Sequence, residues 1–120
     1  MIKQSIMKDF VLLFRQPGHD NNSISPKELE SLLDKWKSWM KDLGSQGNFT
    51  GQHTRLATEG KVLKAGGVIT DGPFVEIKEI LGGLIIVKAE NIEEATTLAH
   101  GCPVLERGGS VEIRPLYDHG

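Results

Sequence analysis

The run Phe10-Val11-Leu12-Leu13-Phe14, apolar without a break between Asp9 and Arg15, decides the fold. It is short, with β-branched and aromatic residues, and predicts a central strand covered on both faces. The stretch after it, Gln16-Pro17-Gly18-His19-Asp20-Asn21-Asn22, is dense in turn formers and predicts an exposed loop. A helix start follows at Ser25-Pro26-Lys27-Glu28. The Ser25 hydroxyl can accept from the Glu28 backbone N–H, Glu28 can reach back, and Pro26 sits where a missing donor costs nothing. Leu29, Leu32, Leu33, Trp36, Trp39, Met40 and Leu43 then recur at helical spacing on one face. Lys35, Lys37, Lys41 and Asp42 fall on the other side, and Gly44 or Gly47 can end the helix.

A second apolar run, Gly83-Leu84-Ile85-Ile86-Val87, predicts another buried strand, and the paired Gly82-Gly83 before it mark a bulge or a close backbone approach. Between the helix and this strand, Thr54-Arg55-Leu56-Ala57 and Lys61-Val62-Leu63-Lys64 flank Glu59-Gly60 and predict a hairpin. Gly66-Gly67 and Asp71-Gly72-Pro73 mark two further turns. Asn91 and Glu94 cap a second helix with Ile92, Ala95, Leu98 and Ala99 on its apolar face, stopped by Gly101 and Pro103. Ser110-Val111-Glu112-Ile113-Arg114-Pro115-Leu116 alternates as a last strand, its proline marking either its end or an edge position. The order βαββαβ with an extra hairpin folds most simply as a ferredoxin-like α+β sandwich, both helices on one face of an antiparallel sheet. Two helices leave the other face bare. A second copy packed against it gives a homodimer, a dimeric α+β barrel with a cleft between its sheets; the loop from Asn48 to Gly72 folded across the face would instead leave a monomer.

Composition bounds the function. The 120 residues form one expected domain over 1–120, and 14 Lys+Arg against 16 Asp+Glu give a net charge of −2, with no basic excess for direct nucleic-acid binding. The apolar runs are too short to span a membrane, and Lys8 and Asp9 interrupt any signal-like stretch at the start. The lone Cys102 suits a cytoplasmic location. No histidine pair stands at a metal-ligand spacing, no phosphate loop or nucleophile elbow is present, and no cofactor or metal is expected.

Several residues can carry chemistry. Thr70-Asp71-Gly72-Pro73-Phe74 holds the carboxylate of Asp71 in a rigid turn, where partial burial would suit it to general-base work; as local chemistry alone it is a well-made turn. Lys78, with Asp71 or Glu79, can clamp a polar ligand, although charges beside a turn are commonly just solvated. His53 is the histidine to watch as an acid/base group, beside the plainer expectation of an exposed loop residue. Trp36 and Trp39 fit core packing first, with one of them able to floor a ligand pocket. Cys102, after a helix end, reads as a small buried residue and not as a nucleophile.

Together these residues resemble the YCII-related proteins, and within them the branch named for its D-G-P-F motif. The resemblance rests on Phe10 to Arg15, Ser25-Pro26, Gly60-Lys61-Val62, Thr70-Asp71-Gly72-Pro73-Phe74 followed by Glu76, Lys78, Glu79 and Gly82-Gly83, then Gly101-Cys102-Pro103 and Gly109 to Pro115. It implies a ferredoxin-like dimer, sheets face to face, with a ligand or active-site cleft near the motif loop. It also implies a functional link to extracytoplasmic-function sigma factors, whose genes neighbour or fuse with some of this branch, and a relative outside the branch looks like a dehalogenating lyase acting on a muconate-type ring-cleavage product. Shorter members carry a His on the first helix and an Asp before the Pro that follows the second helix. This chain has Trp36 and Cys102 there, so only Asp71 and its neighbours carry over.

Two functions are thus expected as alternatives. One is a homodimer that binds a small polar or carboxylated molecule through Gly72, Pro73, Phe74, Lys78, Glu79, Trp39 and Arg114. The other is a small cofactor-independent lyase or isomerase in which Asp71 or His53 moves a proton.

Overall fold

The computed structural model describes residues 7–17, 25–57, 59–72 and 79–117. Their elements run β1 (Lys8–Pro17), α1 (Pro26–Ser45), β2 (Phe49–Arg55), β3 (Gly60–Lys64), β4 (Val68–Gly72), β5 (Glu79–Ala89), α2 (Ile92–Ala99), a 3₁₀ helix (Pro103–Arg107) and β6 (Ser110–Pro115). The chain is α+β. Its main sheet has four strands in the order β2-β5-β1-β6, and β3 and β4 form a separate two-stranded sheet. Every pairing is antiparallel and the main sheet is open.

The local signals act where the sequence places them. The Glu28 N–H donates to Ser25 Oγ at 3.1 Å and the Ser25 N–H donates to Glu28 Oε1 at 3.1 Å. The Ser25 backbone N–H, and after it the Ser25 hydroxyl, hold the Glu28 carboxyl below its usual range. Helix α1 runs through Gly44 and is capped at Gln46, with Gly47 at φ 79° turning the chain toward β2. At α2 the Glu94 N–H donates to Asn91 Oδ1 at 2.8 Å, while the Glu94 carboxylate accepts from the Glu90 N–H rather than from the cap residue itself.

The core lies between the helices and one face of the sheet. Phe10, Leu12 and Phe14 of β1 and Ile85, Val87 and Ala89 of β5 are buried there with Trp39, Leu43, Ala95 and Ala99. Val11 and Leu13 point the other way, opposite Ile86 and Leu84, and all four are only half-buried. The two apolar runs are therefore covered on one face rather than two, because both helices occupy the same side. On the open face Lys88 Nζ lies 2.9 Å from Asp9 Oδ1, and Arg15 Nη1 lies 2.6 Å from Glu112 Oε1.

Gly82 and Gly83 do both things their pairing suggests. The β1–β5 register shifts between Phe14, opposite Gly83, and Arg15, opposite Leu81, so Gly82 is the extra residue of a bulge. A Cβ on Gly83 would lie 2.6 Å from the Thr54 carbonyl oxygen of β2. The expected hairpin across Glu59-Gly60 is corrected. Thr54 and Arg55 pair instead with Leu84 and Gly83, and the hairpin is β3 with β4 across Gly66-Gly67, at φ 87° and 82°. A tight turn with two consecutive positive φ angles favours two glycines, and Glu59-Gly60 offers one. The 3₁₀ helix after Cys102 carries no periodic signal and went unread in the sequence.

Candidate functional site

Beside the core, between α1 and the end of the sheet formed by Phe14–Gln16 of β1 and His53–Arg55 of β2, lies a cavity of about 530 Å³. That is large enough for a small organic molecule. Its helix wall is Leu29, Leu32, Leu33, Trp36 and Met40, on one face of α1 by their spacing; its sheet wall is Phe14, Gln16, His53, Arg55 and Gly82. Leu56, Ala57, Val104 and Lys37 complete it. Leu29 and Leu33 are partly open to solvent, which makes the mouth apolar as well as the floor.

An aromatic cluster forms the floor. Trp36 stacks on the His53 ring with centroids 5.5 Å apart and planes 11° apart, and Phe14 meets Trp36 edge-on at 5.0 Å. Burial, followed by the nearby Arg55 charge, lowers the His53 pKa below its usual value, which favours the neutral ring. Among the described residues no group hydrogen-bonds this ring, and no carboxylate pairs with Lys37 or Arg55. Elsewhere on the surface Lys35 is paired with Glu106 at 2.7 Å and Arg15 with Glu112. The cavity thus presents an apolar, ring-lined interior, two cations and no acidic lining residue among the described ones.

The residues singled out in the sequence fall in different places. His53 lines the cavity. Trp39 is buried, its indole N–H donating to the Leu98 carbonyl at 3.1 Å, and the tryptophan in the cavity wall is Trp36. Arg114 is exposed on the open face of the sheet, 3.9 Å from Glu112, away from the cavity. Asp71 and Gly72 close β4 opposite Lys61 and Gly60, and Glu79 opens β5 opposite Pro17. Pro73, Phe74 and Lys78 lie outside the described residues, as do the side chains of Asp71 and Glu79. Cys102 is buried, and burial pushes its thiol up to about 12, against a smaller opposing effect of the Val104 backbone, so it is no nucleophile near neutral pH. No cluster of metal-ligating side chains occurs among the described residues, and no helix there is long and apolar enough to cross a membrane.

Sequence reasoning missed Arg55, Lys37 and Gln16. The available signal was the period-two spacing of His53 and Arg55, which the wrong hairpin assignment obscured.

The sequence matches the family model of the YCII-related domain over residues 10–119, nearly the whole chain, and the chain belongs to that family. No curated protein matches it.

Proposed function

We propose that this YCII-related chain binds a small anionic molecule with an apolar, flat body, a carboxylate in the first instance, in the cavity between α1 and the sheet. The observation that carries this is the pairing of a ring-lined interior with Lys37 and Arg55, which have no acidic partner among the described residues. An anion seated against two cations in a partly dry pocket gains charge-assisted hydrogen bonds, while the body buries apolar surface. Phenylacetate, with neutral phenylacetamide as its control, tests it. Phenylacetate at saturating concentration is expected to raise the melting temperature by several degrees, the amide much less, and Arg55→Gln with Lys37→Gln to abolish the difference. Equal shifts from acid and amide would overturn the proposal.

The strand order supports reading the fold as a ferredoxin-like sandwich, and two surfaces support a homodimer built on it. The half-buried strip Val11, Leu13, Leu84 and Ile86 is one. The β3–β4 hairpin is the other: Leu63 and Ile69, opposite each other, are 70% and 62% exposed. Two five-residue strands alone are marginal in water, so a partner that covers them stabilises both. The expected solution mass is twice 13.2 kDa; sedimentation at micromolar concentration as a 13.2 kDa species would remove this part of the reading. A functional link to an extracytoplasmic-function sigma factor rests on family resemblance alone. A second reading, a lyase or isomerase that moves a proton, is favoured by one observation: the His53 imidazole stands in the cavity wall.

A further inference from the structure

Of the polar groups around the cavity, His53 alone among the described ones can gain or lose a proton near neutral pH. Its ring is clamped flat against Trp36 and edge-on to Phe14 at 6.2 Å, and no described group satisfies its nitrogens. The charged groups that face this region are Arg55 on its own strand and Lys37 on α1; from β1 comes the neutral Gln16, and β5 and the 3₁₀ helix add no titratable group to the described lining. Both neighbouring charges are positive. In the free protein partial burial, and after it the Arg55 charge, oppose a positive charge on the imidazole.

We infer that His53 is a binding residue whose protonation is coupled to the anion: seating the ligand's negative charge between Arg55 and Lys37 draws a proton from solvent onto the His53 ring, which then adds a third charged donor to the site. This rests on the proposed binding of a carboxylate in the cavity. Up to one proton is taken up for each anion bound, the full amount only between the two pKa values, and no bond in the ligand changes. The sign follows from linkage. A group whose pKa is lower in the free protein than in the complex makes binding tighter as pH falls through the window between the two values. The gain is on the order of tenfold for each unit by which the anion raises the His53 pKa.

The test is calorimetric titration of the full chain with phenylacetate between about pH 8 and about pH 6, around the ordinary imidazole range, in two buffers of different ionisation enthalpy. Expected are net proton uptake, affinity that tightens severalfold toward the acid end, and an NMR titration of the His53 ring that moves to higher pH when ligand is present. His53→Gln, which keeps a planar polar side chain, is expected to bind phenylacetate with a flat pH profile and no proton uptake. Binding by the wild type at constant affinity across the range, or a pH dependence that survives in His53→Gln, would overturn the coupling while leaving the binding site standing. No binding of phenylacetate at any pH would remove both.

Discussion

Replacing Leu12 with alanine is expected to lower the free energy of unfolding by at least about 3 kcal/mol, within the range for truncating a fully buried leucine. Leu12 has no exposed surface and sits at the middle of β1, opposite Ile85 on one side and Ile113 on the other. Its neighbours are held by ladders on both sides, so they cannot move in to fill the space left by the lost atoms. Urea denaturation checks this: the midpoint should fall while the slope stays that of the wild type. Val11→Ala, one residue along on the half-buried face, should cost well under half as much in the monomer. Equal costs at a concentration where the chain sediments as a monomer would show that the core does not lie on the helix side.

A comparable loss, about 3 kcal/mol, is expected for Gly109→Ala, by the opposite mechanism of overfilling. The new Cβ would be driven into the Arg15 carbonyl oxygen of β1, with Val104 Cγ2 at 2.7 Å and the Val104 carbonyl oxygen at 3.0 Å. Two of those three atoms belong to backbone, which cannot rotate away, and the Gly109 N–H already donates to the same Val104 carbonyl at 3.0 Å. Relief therefore requires β6 to separate from β1 at its first residues. Adding Val104→Ala should recover only a minor part of the loss, because it removes the side-chain clash alone. Gly44→Ala serves as the control. It lies inside α1 with nothing within 4 Å of the added atom, and should be neutral or stabilising by up to about 1 kcal/mol. Equal unfolding midpoints for Gly109→Ala and Gly44→Ala would show that β6 does not start where it is placed here.

The two substitutions also mark what the sequence can and cannot reveal. The strand that carries Leu12 was legible from its unbroken apolar run; that Leu12 faces the core and Val11 does not was not, since both read alike in that run. The caps were legible, where Ser25 with Glu28 and Asn91 with Glu94 act over a few residues and need no tertiary context. Gly109 resembles any other turn glycine in the sequence; what it avoids, Arg15 and Val104, is distant or unlabelled. The hairpin failed for a related reason. Thr54-Arg55 reads equally well as a partner for Lys61-Val62 or for β5, and only the fit of Gly83 against Thr54 decides between them. The cavity was the least legible part. Trp36 and His53 are far apart in the chain, and neither a helix wheel nor a strand pattern says that their rings will stack. Expectation placed the site at Asp71 and in a cleft between two sheets; the loop that follows Gly72 lies outside the described residues, and the cavity lies on the helix side of the main sheet.

The antiparallel pairing of β1 with β6 fixes where a tethered neighbour would attach. Phe10 stands opposite Pro115, and the Leu116 N–H donates to the Asp9 carbonyl at 3.1 Å, so the chain enters the first strand and leaves the last one side by side. The cavity is at the other end of β1, near Phe14 and Gln16, roughly 20 Å along the strand. A fused domain, an affinity handle or a surface linker joined directly to the first residues of β1 or the last of β6 would start from the rim away from the cavity.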